Sequence, residues 1–400
     1  MLLRFTQVYN IVMHKFITKV HIKMFTNVIT RGTMGITKGE IQMKITKVDR
    51  KYRFVATFET TTGEYMRTGV IDSSGHETSE DPFQASYPEL IDVGIMGSCA
   101  HASQCTVGCY QGGLQNQKPN MKLEDYKSII DQSKGKVFQI ALGGHGDPNK
   151  HEDFEEILKY TRENNIIPNY TTSGLNLSDH EVEMTKEHCG AVAVSWYKQD
   201  HTYEALSKFT KAGCITNIHY VLSNKTINEA IWWLKYHTLV GLHTDGSFRG
   251  INAIIFLTHK PVGCGSQADV LSMDDPRLKE FCNLVSEEHP FKVGFDSCFI
   301  PALVNHADIN FDSVDTCEGA RYSMYISSDM IAVPCSFDQK HNYGVPLTTF
   351  SIQNAWNSPE FSRFRNHMKN SCKGCGEQAE CRGGCPLVPE IVLCNRKERG

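Results

Sequence analysis

The sequence predicts an α/β chain built on parallel βα units, and three observations predict it. From residue 89 to about 290, apolar strand-like runs alternate with amphipathic helical stretches six times. Before them, residues 41–71 alternate with a period of two between turn residues. After them, residues 291–400 hold eight cysteines in about a hundred residues.

The chain has 400 residues and is 40% hydrophobic, enough to bury a core spanning more than one domain. Its net charge of −4 comes from interspersed charges of both signs, which argues against a nucleic-acid surface. No apolar run reaches the length of a membrane span. The 15 cysteines are odd in number and clustered, and no stretch reads as a secretory signal. Metal ligation in a reducing compartment fits better than a disulfide framework, so the expected location is cytoplasmic.

Residues 1–42 differ in composition. Between Met1 and Lys38 there is no acidic residue, whereas Arg4, Lys15, Lys19, Lys23, Arg31 and Lys38 are basic. A transit peptide has this composition. An upstream start codon, with the native chain beginning at Met34 or Met43, is the expected explanation. Residues 43–86 follow, with IQMKITKV, KYRFVATFET and EYMRTGVI predicting a β-hairpin or small meander that covers one end of the next domain.

The expected strands of the 87–290 domain are 89–96, 137–144, 166–173, 191–197, 214–222 and 251–258. LEDYKSIIDQS, HEDFEEILKYTREN, YEALSKFTKAG and INEAIWWLKYH are among the helices between them. Six such units fit a partial or complete barrel, or a doubly wound sheet. In each, ligands gather at the C-terminal strand ends.

The first strand runs into GIMGSCAHASQCTVGCYQGG, which carries Cys99, Cys105 and Cys109. Three thiolates can hold three irons of a [4Fe–4S] cube and leave the fourth open to a substrate or cofactor. Taken alone, the same three residues fit zinc or unligated thiols equally well. The second strand ends in GGHGDP, where Gly144 and Gly146 allow close backbone approach and Asp147 adds a carboxylate. Thr172 and Ser173 end the third strand, Ser195 lies near the end of the fourth, and Asn217 and His219 lie in the fifth. Several polar residues toward one end of apolar strands point to a polar ligand.

These residues resemble the radical SAM superfamily, whose members have a partial six-unit barrel and a three-cysteine loop after the first strand. The resemblance implies a partial (β/α)6 TIM-type barrel and a [4Fe–4S] cluster on Cys99, Cys105 and Cys109. It places GHGDP against the methionine amino group of S-adenosylmethionine, with Gly144, Gly146 and Asp147 in contact. Thr172 and Ser173 fall at the ribose, Ser195 at the carboxylate, and Asn217 and Tyr110 beside the cofactor. The family spacing is CxxxCxxC, whereas here five and three residues separate the cysteines, and Tyr110 follows the third cysteine. The implied chemistry is reductive cleavage of S-adenosylmethionine to a 5′-deoxyadenosyl radical that abstracts a hydrogen atom from the substrate.

Within 291–400, Cys372, Cys375, Cys381 and Cys385 read CxxCx5CxxxC, followed by Cys394 and preceded by Cys298, Cys317 and Cys335. Eight ligands suit two cubes; zinc knuckles are the alternative. The run resembles the SPASM domain of radical SAM peptide-modifying enzymes. That resemblance implies one auxiliary cluster on Cys372, Cys375, Cys381 and Cys394. It implies a second on Cys317, Cys335 and Cys385, with Cys298 as the fourth ligand. The expected substrate is a ribosomally made precursor peptide, crosslinked, epimerised or oxidised, and the reductant is a flavodoxin or ferredoxin. A formylglycine-forming sulfatase maturase shares this architecture. A non-catalytic iron–sulfur electron carrier is the alternative from another class. Neither nucleic acid nor membrane is an expected partner.

Overall fold

The computed structural model describes residues 44–103, 108–238, 250–309 and 314–394. Cys105 and the basic N-terminal stretch lie outside them.

The 41–71 region forms a three-stranded antiparallel meander of β1 (Lys44–Asp49), β2 (Phe54–Glu59) and β3 (Tyr65–Arg67), in that order. Alternate residues of β2, namely Phe54, Ala56 and Phe58, are buried. They pack with Tyr65 on Phe138 and Ile167, at the starts of two strands of the main sheet. The meander thus covers the N-terminal ends of those strands. Arg67, with no exposed side-chain surface, pairs with Asp315 at 2.5 Å and lies 3.7 Å over the Tyr322 ring. That contact ties the meander to the C-terminal region.

The main sheet begins with β4 (Leu90–Met96), β5 (Gln139–Gly144), β6 (Ile167–Thr172), β7 (Val192–Ser195), β8 (Thr216–Leu222), β9 (Ile251–Thr258) and β10 (Lys292–Phe295). Each strand pairs in parallel with the next. The spatial order follows the sequence without reversal. A doubly wound sheet reverses at a switch point, so this order selects the barrel type. Beside the free edge of β4 the sheet continues with β11 (Ser323–Ile326), parallel, then antiparallel β12 (Ile331–Val333) and β13 (Val345–Pro346). Among the described residues β10 and β13 do not pair, so the barrel is open. The parallel run is two strands longer than the six expected, because β10 and β11 have only four residues each.

Connecting helices are α1 (Leu123–Ser133), α2 (Phe154–Glu163), α3 (Asp179–His188), α4 (Asp200–Ala212), α5 (Ile227–Tyr236) and α6 (Pro276–Val285). In α1, Tyr126, Ile129, Ile130 and Ser133 are buried, the spacing of one helical face. Helix α3 starts on a capping box between Ser178 and Glu181. The helices cover the sheet face carrying Ile91, Val93, Ile95, Ile140, Leu142, Tyr170, Val194, Ile218 and Ile254, all nearly or fully buried. Because side chains alternate across a strand, the opposite face carries Asp92, Gly94, Ala141, Gly143, Thr171, Ser195, Asn217 and His219. Register places Asp92 beside Ala141, Gly94 beside Gly143 and Ser195 beside His219. This concave face is small and polar, and Asp92, Ala141, Gly143, Thr171 and Ser195 keep partial exposure. The remaining helices, α7 (Ile300–His306), α8 (Ile352–Trp356), α9 (Pro359–Asn370) and α10 (Gln378–Cys381), belong to the C-terminal region. No helix among the described residues is long and apolar enough to cross a membrane.

Candidate active site and cysteine groups

The loop after β4 and the loop after β5 meet at the C-terminal edge of the sheet. Gly144 has φ +117°, a conformation that side-chain-bearing residues rarely adopt, and a Cβ there would lie 2.3 Å from the Met96 carbonyl oxygen. A Cβ on Gly146 would lie 2.6 Å from the Ser98 oxygen and 3.3 Å from the Cys99 Cα. Both glycines therefore let GGHGDP lie directly on the start of the cysteine loop. The His145 amide donates to the Met96 carbonyl at 2.7 Å, and its ring Nε2 reaches the Gly113 carbonyl at 2.7 Å. One residue thus spans both ends of the cysteine loop. Sequence reading passed over it, although it sits inside the motif.

Asp147 accepts from the Ser173 amide at 2.7 Å and the Ser173 hydroxyl at 2.5 Å. This joins the loops after β5 and β6. Thr172 pairs with Val194, so Ser173 stands level with Ser195 on the next strand. Gly144, Gly146, Asp147, Ser173 and Ser195 therefore share one edge with Cys99. Thr172 is 1% exposed, points to the opposite face and accepts from the Gly174 amide at 3.0 Å. Asn217 lies one register step deeper than Ser195, 1% exposed, and accepts from Asn252 at 2.7 Å. The Tyr110 ring lies 4.5 Å from the ring of Phe337, in the C-terminal region.

Two groups on the concave face, Asp92 half-buried and His219 buried, have shifted protonation. Burial pushes the Asp92 carboxyl up to about 7 and pulls the His219 imidazole down to about 4. His219 Nδ1 faces the Thr171 hydroxyl at 3.3 Å. Asp92 in mid-strand is a polar residue whose position the sequence displays but whose role reasoning missed.

The C-terminal cysteines fall into two sets. Cys298 follows β10, and its thiol hydrogen-bonds with that of Cys385; Cys317 and Cys335 are its close neighbours. Burial, reinforced by the neighbouring thiols, pushes Cys317 and Cys335 up to about 12. The second set gathers Cys372, Cys375 and Cys394 around Cys381. A tight turn donates the Cys375 amide to the Cys372 carbonyl at 3.0 Å. Cys385 thus leaves its sequence neighbours and joins the distant set. Four half-buried cysteines in each set form a donor group that fits an iron–sulfur cube.

Of the other cysteines, Cys282 is fully buried, while Cys189 and Cys214 line a cavity of about 460 Å³ beneath the strands. Cys264 is exposed, and its amide donates to the Cys109 carbonyl at 2.9 Å. The loop from His259 to Gly265 after β9 therefore adjoins the three-cysteine loop. Lys260, earlier in it, is a charged neighbour of Cys298, Cys335 and Cys385. Sequence reading missed Lys260 because its partners lie far along the chain.

Residues 317–376 match the iron–sulfur cluster-binding SPASM domain. No curated protein sequence matches the chain. Among solved structures the chain is similar to SuiB of Streptococcus suis bound to S-adenosylmethionine, at 14% identity and TM-score 0.66, covering 88% of this chain and 99% of that one. SuiB bound to the precursor peptide SuiA gives 14% identity and TM-score 0.66, covering 88% and 98%. The protein anSMEcpe with bound AdoMet gives 15% and 0.56, covering 78% and 92%. These identities speak for the fold: the chain shares the partial-barrel architecture of those structures, with an iron–sulfur cluster-binding SPASM domain at residues 317–376.

Proposed function

We propose that the chain is a radical SAM peptide maturase acting on a residue of a ribosomally made precursor peptide. The observation that carries the reading is the packing of GGHGDP on the first residue of the three-cysteine loop, at the open end of a polar concave face. Cys99, Cys105 and Cys109 would hold a [4Fe–4S] cluster, and Asp147, Ser173 and Ser195 the methionine and ribose ends of S-adenosylmethionine. When bound, the reduced cluster and S-adenosylmethionine supply a 5′-deoxyadenosyl radical.

The chain's own residues position and shield. His145 and the β5 glycines fix the cysteine loop against the sheet edge. Asp147 locks Ser173 at that edge, so the polar groups are set before a ligand arrives. The apolar helix-side core and the meander close the other end of the sheet to solvent. The two C-terminal quartets would hold auxiliary [4Fe–4S] clusters, and a flavodoxin or ferredoxin would supply electrons. The likeness to a structure solved with a precursor peptide supports a peptide substrate. Crosslinking, epimerisation and oxidation share these requirements, and formylglycine formation on a sulfatase is the neighbouring reading.

Anaerobically reconstituted, dithionite-reduced protein given S-adenosylmethionine is expected to release 5′-deoxyadenosine, read by liquid chromatography with mass detection. An electron carrier of the same fold releases none, and that result would reject the enzyme reading.

A further inference from the structure

One loop touches both the three-cysteine loop and the Cys298 quartet. It leaves β9 at Thr258, passes Lys260, and reaches Cys264 against Cys109. Lys260 is 5% exposed, yet it is an ammonium group, and burying one needs partners. Its Nζ meets Asp296 Oδ2 at 2.5 Å and donates to the Thr258 carbonyl at 3.2 Å. The other Asp296 oxygen accepts from the Thr258 hydroxyl at 2.6 Å. The ammonium lies 4.3 Å over the Phe337 ring, which packs at a tilt against Tyr110 beside Cys109. Asp296 precedes Cys298 by two residues, and Phe337 follows Cys335 by two. The cation is thus held by three partners, two of which lie two residues from cysteines of the quartet.

Cys298, Cys335 and Cys385 all have Lys260 as a charged neighbour, and Asp296 is a charged neighbour of Cys298 as well. The Asp296 oxygen not paired with Lys260 is taken up by the Thr258 hydroxyl.

We infer that Lys260 is a positioning residue that sets the reduction potential of the auxiliary cluster on Cys298, Cys317, Cys335 and Cys385, holding it within reach of one-electron reduction. The inference rests on the reading that this quartet holds a [4Fe–4S] cluster. Four thiolates leave such a cluster with net negative charge, which grows by one when it gains an electron. A fixed cation at low dielectric stabilises the more negative state more strongly, so it raises the potential. Asp296 opposes this and aims the ammonium.

The test is a dithionite titration followed by electron paramagnetic resonance on the anaerobically reconstituted full chain. Ala at Cys99, Cys105 and Cys109 in every sample removes the first cluster's signal. Lys260→Met is expected to lower the midpoint potential of one of the two remaining clusters, Lys260→Arg to keep it, and Asp296→Asn to raise it. The other cluster, on Cys372, Cys375, Cys381 and Cys394, serves as the internal reference and stays put in all three. Unchanged potentials in both Lys260→Met and Asp296→Asn would overturn the inference, as would equal shifts of both clusters. The iron content of the parent separates the two failures. A parent lacking iron on the Cys298 quartet refutes the underlying reading, while a loaded parent with unmoved potentials refutes Lys260 alone.

Discussion

Asp147 joins the loops after β5 and β6 at the C-terminal edge of the sheet. Both its oxygens are committed to Ser173, so it acts by holding the edge of β6 in place. Asp147→Ala should weaken S-adenosylmethionine binding by about 1–3 kcal/mol, the usual worth of a lost charge-assisted hydrogen bond. Isothermal titration on reconstituted protein reads it, with iron content unchanged; wild-type affinity would make the residue dispensable. Ser195→Ala, which leaves the Asp147–Ser173 pair intact, should have the smaller effect. Asp92 makes a prediction about pH. Burial raises its carboxyl to about 7, above its unfolded value, so the native state holds a proton that the unfolded chain releases. The stability this confers is complete in acid and is lost as pH rises from about 4 through about 7, to the extent of order 2–4 kcal/mol. Asp92→Asn removes that loss. Its thermal midpoint under anaerobic conditions should fall less than that of wild type between pH 5.5 and 8, and parallel curves would show that Asp92 is solvated.

At the scale of elements, the joint between barrel and C-terminal region is β11 on β4. Tyr325 of β11 places its hydroxyl where Gly94 has no side chain; a Cβ there would lie 2.1 Å from that oxygen. Gly94→Ala should destabilise by about 1–3 kcal/mol through overpacking, and Tyr325→Ala in the same chain should recover part of that loss. Urea denaturation of the two single variants and the double variant reads the coupling, and strictly additive effects would contradict the contact. Much of this architecture is legible in the sequence. Helix α1 lies where LEDYKSIIDQS predicts it, because four buried positions recur on one face. The six expected strands appear within a few residues of their predicted ends, since apolar runs bounded by turn residues carry their own signal. Strand β10, KVGF, is too short to announce itself, and its place is set by pairing with β9. The site was legible only in part. Glycine spacing exposed the β5 loop, but Tyr110 turns onto Phe337 and Thr172 turns to the helix side, which tertiary packing alone decides. Lys260 and Asp296 are 36 residues apart, and no local pattern joins them.

At the scale of the whole molecule, the described cysteines outside the core fall into the loop after β4, the Cys298 set and the Cys381 set. The loop from Thr258 to Cys264 and the tilted Tyr110–Phe337 ring contact link the first two. Such an arrangement suits an enzyme that starts a radical at one centre and moves electrons through others. Iron per chain tests that claim most directly. If the three groups each complete a [4Fe–4S] cube, anaerobically reconstituted wild type holds about twelve irons, and the variant with Ala at Cys99, Cys105 and Cys109 about eight. Iron near four per chain in wild type, with zinc making up the remainder, would contradict the account of the C-terminal quartets.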